Sequence, residues 1–228
     1  MGRQIALNAA VNGFQTYLSD GFTEALDKAA AWAEEYLAGR IAKGRMTAEQ
    51  VAEIKKNFHI EPDMDAALKQ ADVMIEAIIE SMDAKLELFK KADAVCKPGA
   101  ILTSNSSSFV PSRYASATSR PDKVLGMHFF NPALVMKLVE VVMHPGTSEE
   151  SAQTIMQLSR DMDKEPILLR KECPSFVVNR IVAAINDAML QILDEGICTP
   201  QEVDIACEKG LNHPIGPCKL MDMSGIDL

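Results

Sequence analysis

The order of apolar extended segments and helical segments constrains the fold more than any other feature of the sequence. Up to Pro174 the two kinds of segment alternate, and after Pro174 the pattern contains helices only. Alternation predicts an α/β fold with a largely parallel sheet, because a helix must carry the chain back between parallel strands. We therefore predict two domains, an α/β domain over residues 1–172 and an all-helical domain over residues 173–228.

Hydrophobic periodicity and end signals predict the individual segments. Strands are expected at 14–19, 73–79, 100–104, 124–129, 138–143 and 166–170. Helices are expected at 1–12, 22–39, 47–58, 82–96, 175–195 and 200–210, with one more between the last two strands. The helices at 22–39 and 47–58 are expected to form a hairpin inserted between two strands of the sheet.

Three helix starts carry capping signals. Thr47 and Thr199 are each followed, three residues later, by Gln or Glu, which is the pattern of a capping box. Thr147, with Glu150 three residues on, gives the same signal for the helix before the last strand. We expect these three threonines to be N-caps.

The charge of the chain argues against several classes of function. The 228 residues include 23 Lys and Arg and 32 Asp and Glu, for a net charge of −9 at pH 7. Such a chain lacks the basic surface of nucleic-acid-binding proteins, and anionic lipid would repel it. No apolar run approaches the length that spans a membrane. We therefore expect neither nucleic acid nor a membrane as a partner.

The cysteines point to a reducing compartment. There are five, an odd number, and none forms a C-x-x-C pair. Scattered cysteines in odd number are typical of free thiols, and the N-terminal segment is a poor signal peptide. We predict a cytoplasmic protein. We expect no metal, because no Cys, His and acid residues have the spacing of metal ligands.

His128 and Glu140 give the strongest chemical signal. They lie on two predicted strands joined by a short loop, and each is six residues from Leu134. If the strands are antiparallel and the loop centres on Leu134, the two side chains face each other. A carboxylate there holds an imidazole in one tautomer, as a general acid or base requires. From the spacing alone, a structural ion pair at the end of a sheet explains these residues equally well.

Two further signals lie at predicted strand ends. The hydroxyl-rich segment 103–108 follows a buried strand, and ligands of open α/β sheets bind outside the carboxyl ends of strands. Asp20 ends the strand after the first helix, where dinucleotide-binding folds use an acid to hold ribose hydroxyls. Ordinary turns remain the alternatives: a helix-capping turn for any single serine, and a turn before Gly21 for Asp20.

Several long motifs in the same order resemble the 3-hydroxyacyl-CoA dehydrogenases, and among them the bacterial 3-hydroxybutyryl-CoA dehydrogenases. The motifs are Ile79-Glu80, Asn105-Ser106-Ser107-Ser108, Gly126-Met127-His128-Phe129-Phe130-Asn131-Pro132, Met136-Lys137-Leu138-Val139-Glu140-Val141, Phe176-Val177-Val178-Asn179-Arg180 and Asn212-His213-Pro214-Ile215-Gly216-Pro217. The resemblance covers essentially the whole chain. It implies a Rossmann-like sheet with an inserted helical hairpin, followed by a helical domain.

The resemblance also implies an activity, the NAD-dependent oxidation of (3S)-3-hydroxyacyl-CoA to 3-ketoacyl-CoA and its reverse. In this family pattern His128 is the general base and Glu140 orients it. Ser107 and Asn179 hydrogen-bond the reacting oxygens of the substrate. The chain would then be an oxidoreductase of fatty-acid or butanoate metabolism and a homodimer through its C-terminal domain. The alternative is an NAD/CoA-binding or structural protein that has lost turnover.

The same resemblance assigns the residues that contact the cofactor. Gly2 corresponds to the last glycine of the phosphate-binding fingerprint, and Asp20 to the residue that holds the adenosine ribose. Glu80, Lys85 and Asn105 would lie along NAD. Because a carboxylate near the ribose repels a 2′-phosphate, we expect NAD to be preferred over NADP.

Lys43 is the residue of the helical hairpin assigned to substrate. The hairpin resembles the CoA-contacting insertion of the family, and Lys43 is its expected contact with a CoA phosphate.

The chain departs from the family pattern in two places. Ser175 stands where the family has Gly. Ser can occupy the site if the backbone there does not need a positive φ, and we expect a local adjustment. The family opens with a strand and G-x-G-x-Met-Gly, whereas this sequence starts at Met1-Gly2. We therefore expect a chain truncated at both ends, two strands with unpaired edges within the sheet, and weak binding of NAD.

Overall fold

The computed structural model describes residues 1–224. The chain forms two compact units, Met1–Pro174 and Ser175–Leu228. The helices of the first unit are α1 (Gly2–Val11), α2 (Thr23–Ala42), α3 (Ala48–Asn57), α4 (Met64–Gln70), α5 (Met82–Val95), α6 (Pro111–Ala115) and α7 (Glu149–Asp161). Its strands are β1 (Thr16–Leu18), β2 (Phe58–Ile60), β3 (Val73–Glu76), β4 (Ile101–Ser104), β5 (Val124–Phe129), β6 (Leu138–Val142) and β7 (Glu165–Leu169).

A five-stranded sheet forms the centre of the first unit. Its strand order is β3-β4-β5-β6-β7, and only the β5–β6 pair is antiparallel. All six residues of β5 are buried, as expected of a central strand covered on both faces. The predicted α/β fold with a largely parallel sheet is confirmed.

Helices cover both faces of this sheet. On one face, Ile5 of α1 and Ile155 of α7 pack in one cluster with Leu125 of β5. On the other, Phe89 of α5 belongs to a cluster with Leu102 of β4. Two buried clusters on opposite faces make this a three-layer α/β arrangement.

Strands β1 and β2 form a separate two-stranded parallel sheet. Within residues 1–224, β1 pairs with β2 alone and β3 with β4 alone, so each has an unpaired edge, as expected. Both β1 and β3 line one cleft of about 860 Å³. The prediction of helices only between Asp20 and Val73 is incomplete, because β2 and α4 lie there too. Strand β2 directly follows α3, and its first residue, Phe58, falls within the helix predicted at 47–58.

The capping predictions succeed at two sites and fail at one. Thr47 and Thr199 both form complete capping boxes. Thr147 is not the cap of α7, because its Oγ1 donates to the Val124 carbonyl oxygen at 2.8 Å. Ser148 is the N-cap, and its Oγ accepts a hydrogen bond from the backbone N–H of residue 151. A sequence with adjacent Thr and Ser does not distinguish the two.

The second unit contains α8 (Val178–Asp194), α9 (Pro200–Ile205) and α10 (Pro217–Ser224), with one π-helical turn over Ala206–Gly210. Helix α8 begins three residues later than predicted, because Ser175 and Phe176 have φ of +64° and +48°. The condition under which Ser replaces Gly without strain is therefore not met, and Ser175 adopts a conformation that favours glycine. Residues 225–228 of the predicted helical domain lie outside the described residues.

No helix in the described part of the chain is long and apolar enough to cross a membrane.

Candidate active site

His128 and Glu140 lie directly opposite each other on β5 and β6. Their predicted pairing is confirmed, and His128 Nδ1 donates to Glu140 Oε2 at 2.8 Å. The Glu140 side chain is fully buried, and 7% of the His128 side chain is exposed. Because the carboxylate engages Nδ1, proton exchange with a substrate falls to Nε2, on the other side of the ring. The pair has the geometry of an oriented acid–base group.

The segment 104–108, here called the serine loop, begins at the last residue of β4 and is tied to the strand that carries His128. The side-chain Oδ1 of Asn105 accepts a hydrogen bond from the backbone N–H of Phe129 at 2.8 Å. The backbone N–H of Asn105 donates to the Glu76 carbonyl oxygen at the end of β3. Three neighbouring strand ends are thereby joined at Asn105, and Ser107 lies two residues further along the loop.

Glu76, Glu80 and Lys85 form a charged cluster beside the serine loop. The Lys85 Nζ lies 2.8 Å from Glu76 Oε1 and 3.1 Å from Glu80 Oε2. The side chains of Lys85 and Glu76 are buried. Partial burial raises the pKa of Glu80, but hydrogen bonds from Ser106 and Lys85 outweigh it, so the pKa lies below its usual value.

The cluster and the serine loop share a small cavity of about 230 Å³. Among its lining residues are four of the predicted site residues: Glu80, Lys85, Asn105 and Ser107. The structure thus brings together residues that are far apart in the sequence, at the carboxyl ends of β3 and β4. This is the edge of the sheet where ligands of α/β proteins bind.

Comparison with known proteins identifies this arrangement. Residues 1–173 match the family model of the 3-hydroxyacyl-CoA dehydrogenase NAD binding domain, and residues 176–228 match the C-terminal domain of the same enzyme. The chain belongs to the 3-hydroxyacyl-CoA dehydrogenase family. Members of this family are oxidoreductases that act on CH–OH groups with NAD, and NAD is the cofactor of this chain.

Individual relatives agree with this assignment. A probable 3-hydroxybutyryl-CoA dehydrogenase of Bacillus subtilis is 38% identical, over 100% of this chain and 78% of the relative. The 3-hydroxyadipyl-CoA dehydrogenase of Escherichia coli is 36% identical, over 100% of this chain and 48% of the relative. The crystal structure of (S)-3-hydroxybutyryl-CoA dehydrogenase from Ralstonia eutropha superimposes with a TM-score of 0.94 at 37% identity, over 100% of this chain and 80% of that one.

The cleft beside α1 suits the dehydrogenase's cofactor. Gly2 is the first residue of α1, whose N-terminus supplies backbone N–H groups and a positive dipole end toward a pyrophosphate. A Cβ at Gly2 would lie 3.7 Å from the Ala77 Cβ, an ordinary van der Waals contact. Asp20 also lines the cleft, and its Oδ1 accepts from the Phe22 backbone N–H at 2.9 Å. A carboxylate, a helix N-terminus and a glycine match the chemistry of a dinucleotide.

Lys43 lines neither cavity of the first unit, and Asn179 belongs to the second unit. Lys43 is exposed and forms the C-cap of α2. Asn179 is exposed on the first turn of α8, in the second unit. Within residues 1–224 of the dehydrogenase, no group of three His, Cys, Asp or Glu side chains is arranged to hold a metal ion.

Sequence reasoning missed two buried charged residues near the site. Glu76 interrupts the apolar run of β3, and a charge within such a run is a signal that a buried partner exists. Lys164 donates from Nζ to the carbonyl oxygens of Ala133, at 2.6 Å, and Met136, at 3.1 Å. It thereby fixes the loop between β5 and β6. Burial lowers the pKa of Lys164, and nothing in its sequence context signalled this contact.

Proposed function

We propose that this chain oxidises (3S)-3-hydroxyacyl-CoA thioesters of short chain length, 3-hydroxybutyryl-CoA in particular, to 3-ketoacyl-CoA, and catalyses the reverse reaction. The observation that carries the proposal is the buried His128–Glu140 pair with its 2.8 Å hydrogen bond. Oxidation of a secondary alcohol releases one proton and one hydride. His128 Nε2 accepts the proton of the C3 hydroxyl, and NAD supplies the acceptor for the hydride.

The other roles follow from position and chemistry. Glu140 holds the imidazole in the tautomer that leaves proton transfer to Nε2. Ser107, in the serine loop, and Asn179, on α8, donate hydrogen bonds to the reacting oxygen and so position it and stabilise developing charge. Lys43 binds a phosphate of CoA through its ammonium group, supported by its exposure at the end of α2.

The cofactor contacts are proposed from the same edge of the sheet. The N-terminus of α1 at Gly2 binds the pyrophosphate, and Asp20 binds the adenosine ribose hydroxyls. Asn105 and Glu80 lie along the nicotinamide half. Lys85 is bound to two carboxylates, so we assign it to holding Glu80 in place.

The substrate class rests on relatives at 37–38% identity that are named for 3-hydroxybutyryl-CoA. The relative named for 3-hydroxyadipyl-CoA shows that chains of this family also accept a longer, dicarboxylic acyl group. A chain-length series with C4, C6 and C8 substrates tests the assignment. We place the reaction in β-oxidation or butanoate metabolism and in the cytoplasm. The thiols of Cys96, Cys207 and Cys218 are free, in keeping with a reducing compartment.

We further propose that the enzyme is a homodimer through its second unit. Helix α8 is amphipathic, yet Met189 is its only buried residue among those described. Ile181 and Leu190 of α8 are 55% and 46% exposed, and Ile205 of α9 is 57% exposed. Exposed apolar side chains at this density are typical of an interface. Sedimentation of the Ile181→Asp variant at half the mass of the wild type would support this, and an unchanged mass would refute it.

The test of the function is turnover of acetoacetyl-CoA with NADH, in the wild type and in His128→Gln. We expect the variant to lose kcat by about 100- to 10,000-fold, the contribution of a positioned acid–base group, with its circular dichroism spectrum unchanged. Equal kcat in both proteins would remove His128 from the mechanism. A wild type that binds both ligands without turnover would favour an NAD/CoA-binding protein. The same assay with NADPH tests Asp20, since equal kcat/KM with both cofactors would refute its role.

A further inference from the structure

Glu76 is a buried carboxylate for which the proposed reaction has no direct use. It ends β3, and its side chain is 0% exposed. A carboxylate removed from water is destabilising unless charged partners and hydrogen-bond donors surround it. The surroundings of Glu76 therefore show what its charge accomplishes.

Three donors from three different segments converge on the Glu76 carboxylate. Oε1 accepts from the backbone N–H of Ile78 at 2.8 Å and from Lys85 Nζ at 2.8 Å. Oε2 accepts from Ser104 Oγ at 2.5 Å. The carboxylate thus joins the loop after β3, the helix α5 and the serine loop after β4.

Two of these donors, Ser104 and Lys85, also contact groups that bind the rest of the serine loop. Ser104 Oγ accepts a hydrogen bond from the backbone N–H of Ser106 at 3.0 Å. Lys85 also binds Glu80, which in turn accepts from the Ser106 hydroxyl and from the backbone N–H of Ser108. Both routes end on the residues that flank Ser107.

We propose that Glu76 is a positioning residue that fixes the serine loop, and with it Ser107, for reaction with the acyl-CoA substrate. The proposal rests on the role given above to Ser107. Glu76 acts through Ser104 and Lys85, since its oxygens are occupied by donors of the protein. A second function of the same contacts, stabilising the fold, is separated from positioning by the variants below.

The experiment compares Glu76→Gln, Lys85→Met and the double variant E76Q/K85M. The measurements are kcat and KM for acetoacetyl-CoA with NADH, the urea midpoint of unfolding, and amide hydrogen exchange in the serine loop. We expect Glu76→Gln to lower kcat by about 10- to 100-fold, the usual effect of displacing a reacting group by an ångström or less. KM should change little, and exchange at the amides of Ser106 and Ser108 should accelerate.

The double variant separates positioning from stability. In the double variant no buried, unpaired Lys85 remains, so the urea midpoint should return to that of the wild type. It should not restore kcat, because Ser104 and Ile78 still lack their carboxylate partner. Recovery of kcat together with the midpoint would overturn the proposal, as would wild-type kcat in Glu76→Gln. If Glu76→Gln does not fold, Ser104→Ala replaces it as the test, because it removes a single donor. It should give the same loss of kcat and faster amide hydrogen exchange in the serine loop. Wild-type values of both would overturn the proposal.

Two controls complete the design. Asp93 lies on α5, as Lys85 does, and pairs with Arg120 at 2.7 Å; the two side chains are 15% and 14% exposed. Asp93→Asn should lower the urea midpoint and leave kcat unchanged. Ser107→Ala tests the proposed function separately: if its kcat matches the wild type, the role of Ser107 fails. Loop exchange in Glu76→Gln then still reports whether Glu76 holds the loop.

Discussion

The His128–Glu140 pair and the Glu76–Lys85 pair are both buried pairings of a carboxylate with a basic side chain, but they are built differently. His128 and Glu140 face each other across two antiparallel strands. Glu76 and Lys85 join a strand end to a helix, with further donors from two loops. In the first pair the carboxylate binds one nitrogen of the imidazole, Nδ1. In the second pair, donors of the protein occupy both oxygens of the carboxylate.

A reacting pair and a supporting pair differ in what their polar atoms bind. An imidazole with one nitrogen bound to a carboxylate still has a second nitrogen for proton transfer. A carboxylate that accepts from three donors in three segments has no such second function, and its effect is to fix those segments. Changes at the first pair should therefore act mainly on kcat, and changes at the second on both stability and kcat.

The largest effect expected is that of Glu140→Gln. An amide cannot support the imidazolium that forms during oxidation, so kcat/KM should fall by about 100- to 10,000-fold. Assay with acetoacetyl-CoA and NADH measures the change. Glu165→Gln, an exposed carboxylate on the neighbouring strand β7, is the control and should keep wild-type kinetics. A loss below tenfold in Glu140→Gln would instead make this pair a structural ion pair, and the contrast with Glu76 would disappear.

Sequence reasoning succeeded where pairing follows from distance along the chain. The position of His128 and Glu140 depends only on two adjacent strands and one short loop, so equal separation from Leu134 predicted their contact. Strands β3 to β7 were located for the same reason, because a run of apolar residues is a local feature. The capping boxes at Thr47 and Thr199 are equally local features.

It failed where contacts come from segments that are distant in the sequence. Glu76 meets Ser104 only because β3 and β4 are parallel neighbours joined through a helix. The three-residue strand β2 exists because it pairs with β1, more than forty residues earlier. Ser175 adopts a positive φ that its own conformational preference does not favour, so the residue type did not predict it.

The second largest effect expected is on stability, in Lys85→Met. This change leaves the Glu76 carboxylate buried without its cation and should lower the free energy of unfolding by about 3–5 kcal/mol. Urea denaturation measures it. The control is Lys97→Met, which breaks the exposed Lys97–Asp72 pair and should cost less than about 1 kcal/mol. Equal losses in the two variants would mean that burial of the Glu76–Lys85 pair has no energetic consequence, and the comparison with His128–Glu140 would fail.

The smallest effect expected is the pH dependence of the contribution that Glu80 makes to the free energy of unfolding. Its pKa is lowered in the folded chain, where hydrogen bonds from Ser106 and Lys85 outweigh the effect of partial burial. The folded state thus favours ionised Glu80. This stabilisation is fully present above the ordinary pKa of 4.5 and is lost as the pH falls through the lower, folded value. Since its side chain is 38% exposed, solvent screening keeps the contribution below about 1 kcal/mol.

Unfolding of the wild type and Glu80→Gln, compared across this range, measures the contribution. The wild type should be the more stable protein near neutral pH, and the difference should shrink below pH 4.5. Ser106→Ala identifies the cause, because removing that donor should reduce the pH-dependent part of the difference. A difference that stays constant with pH, or grows in acid, would show that Glu80 is held by its packing. Its charge would then have no part in linking Lys85 to the serine loop, and Glu76 would reach that loop through Ser104 alone.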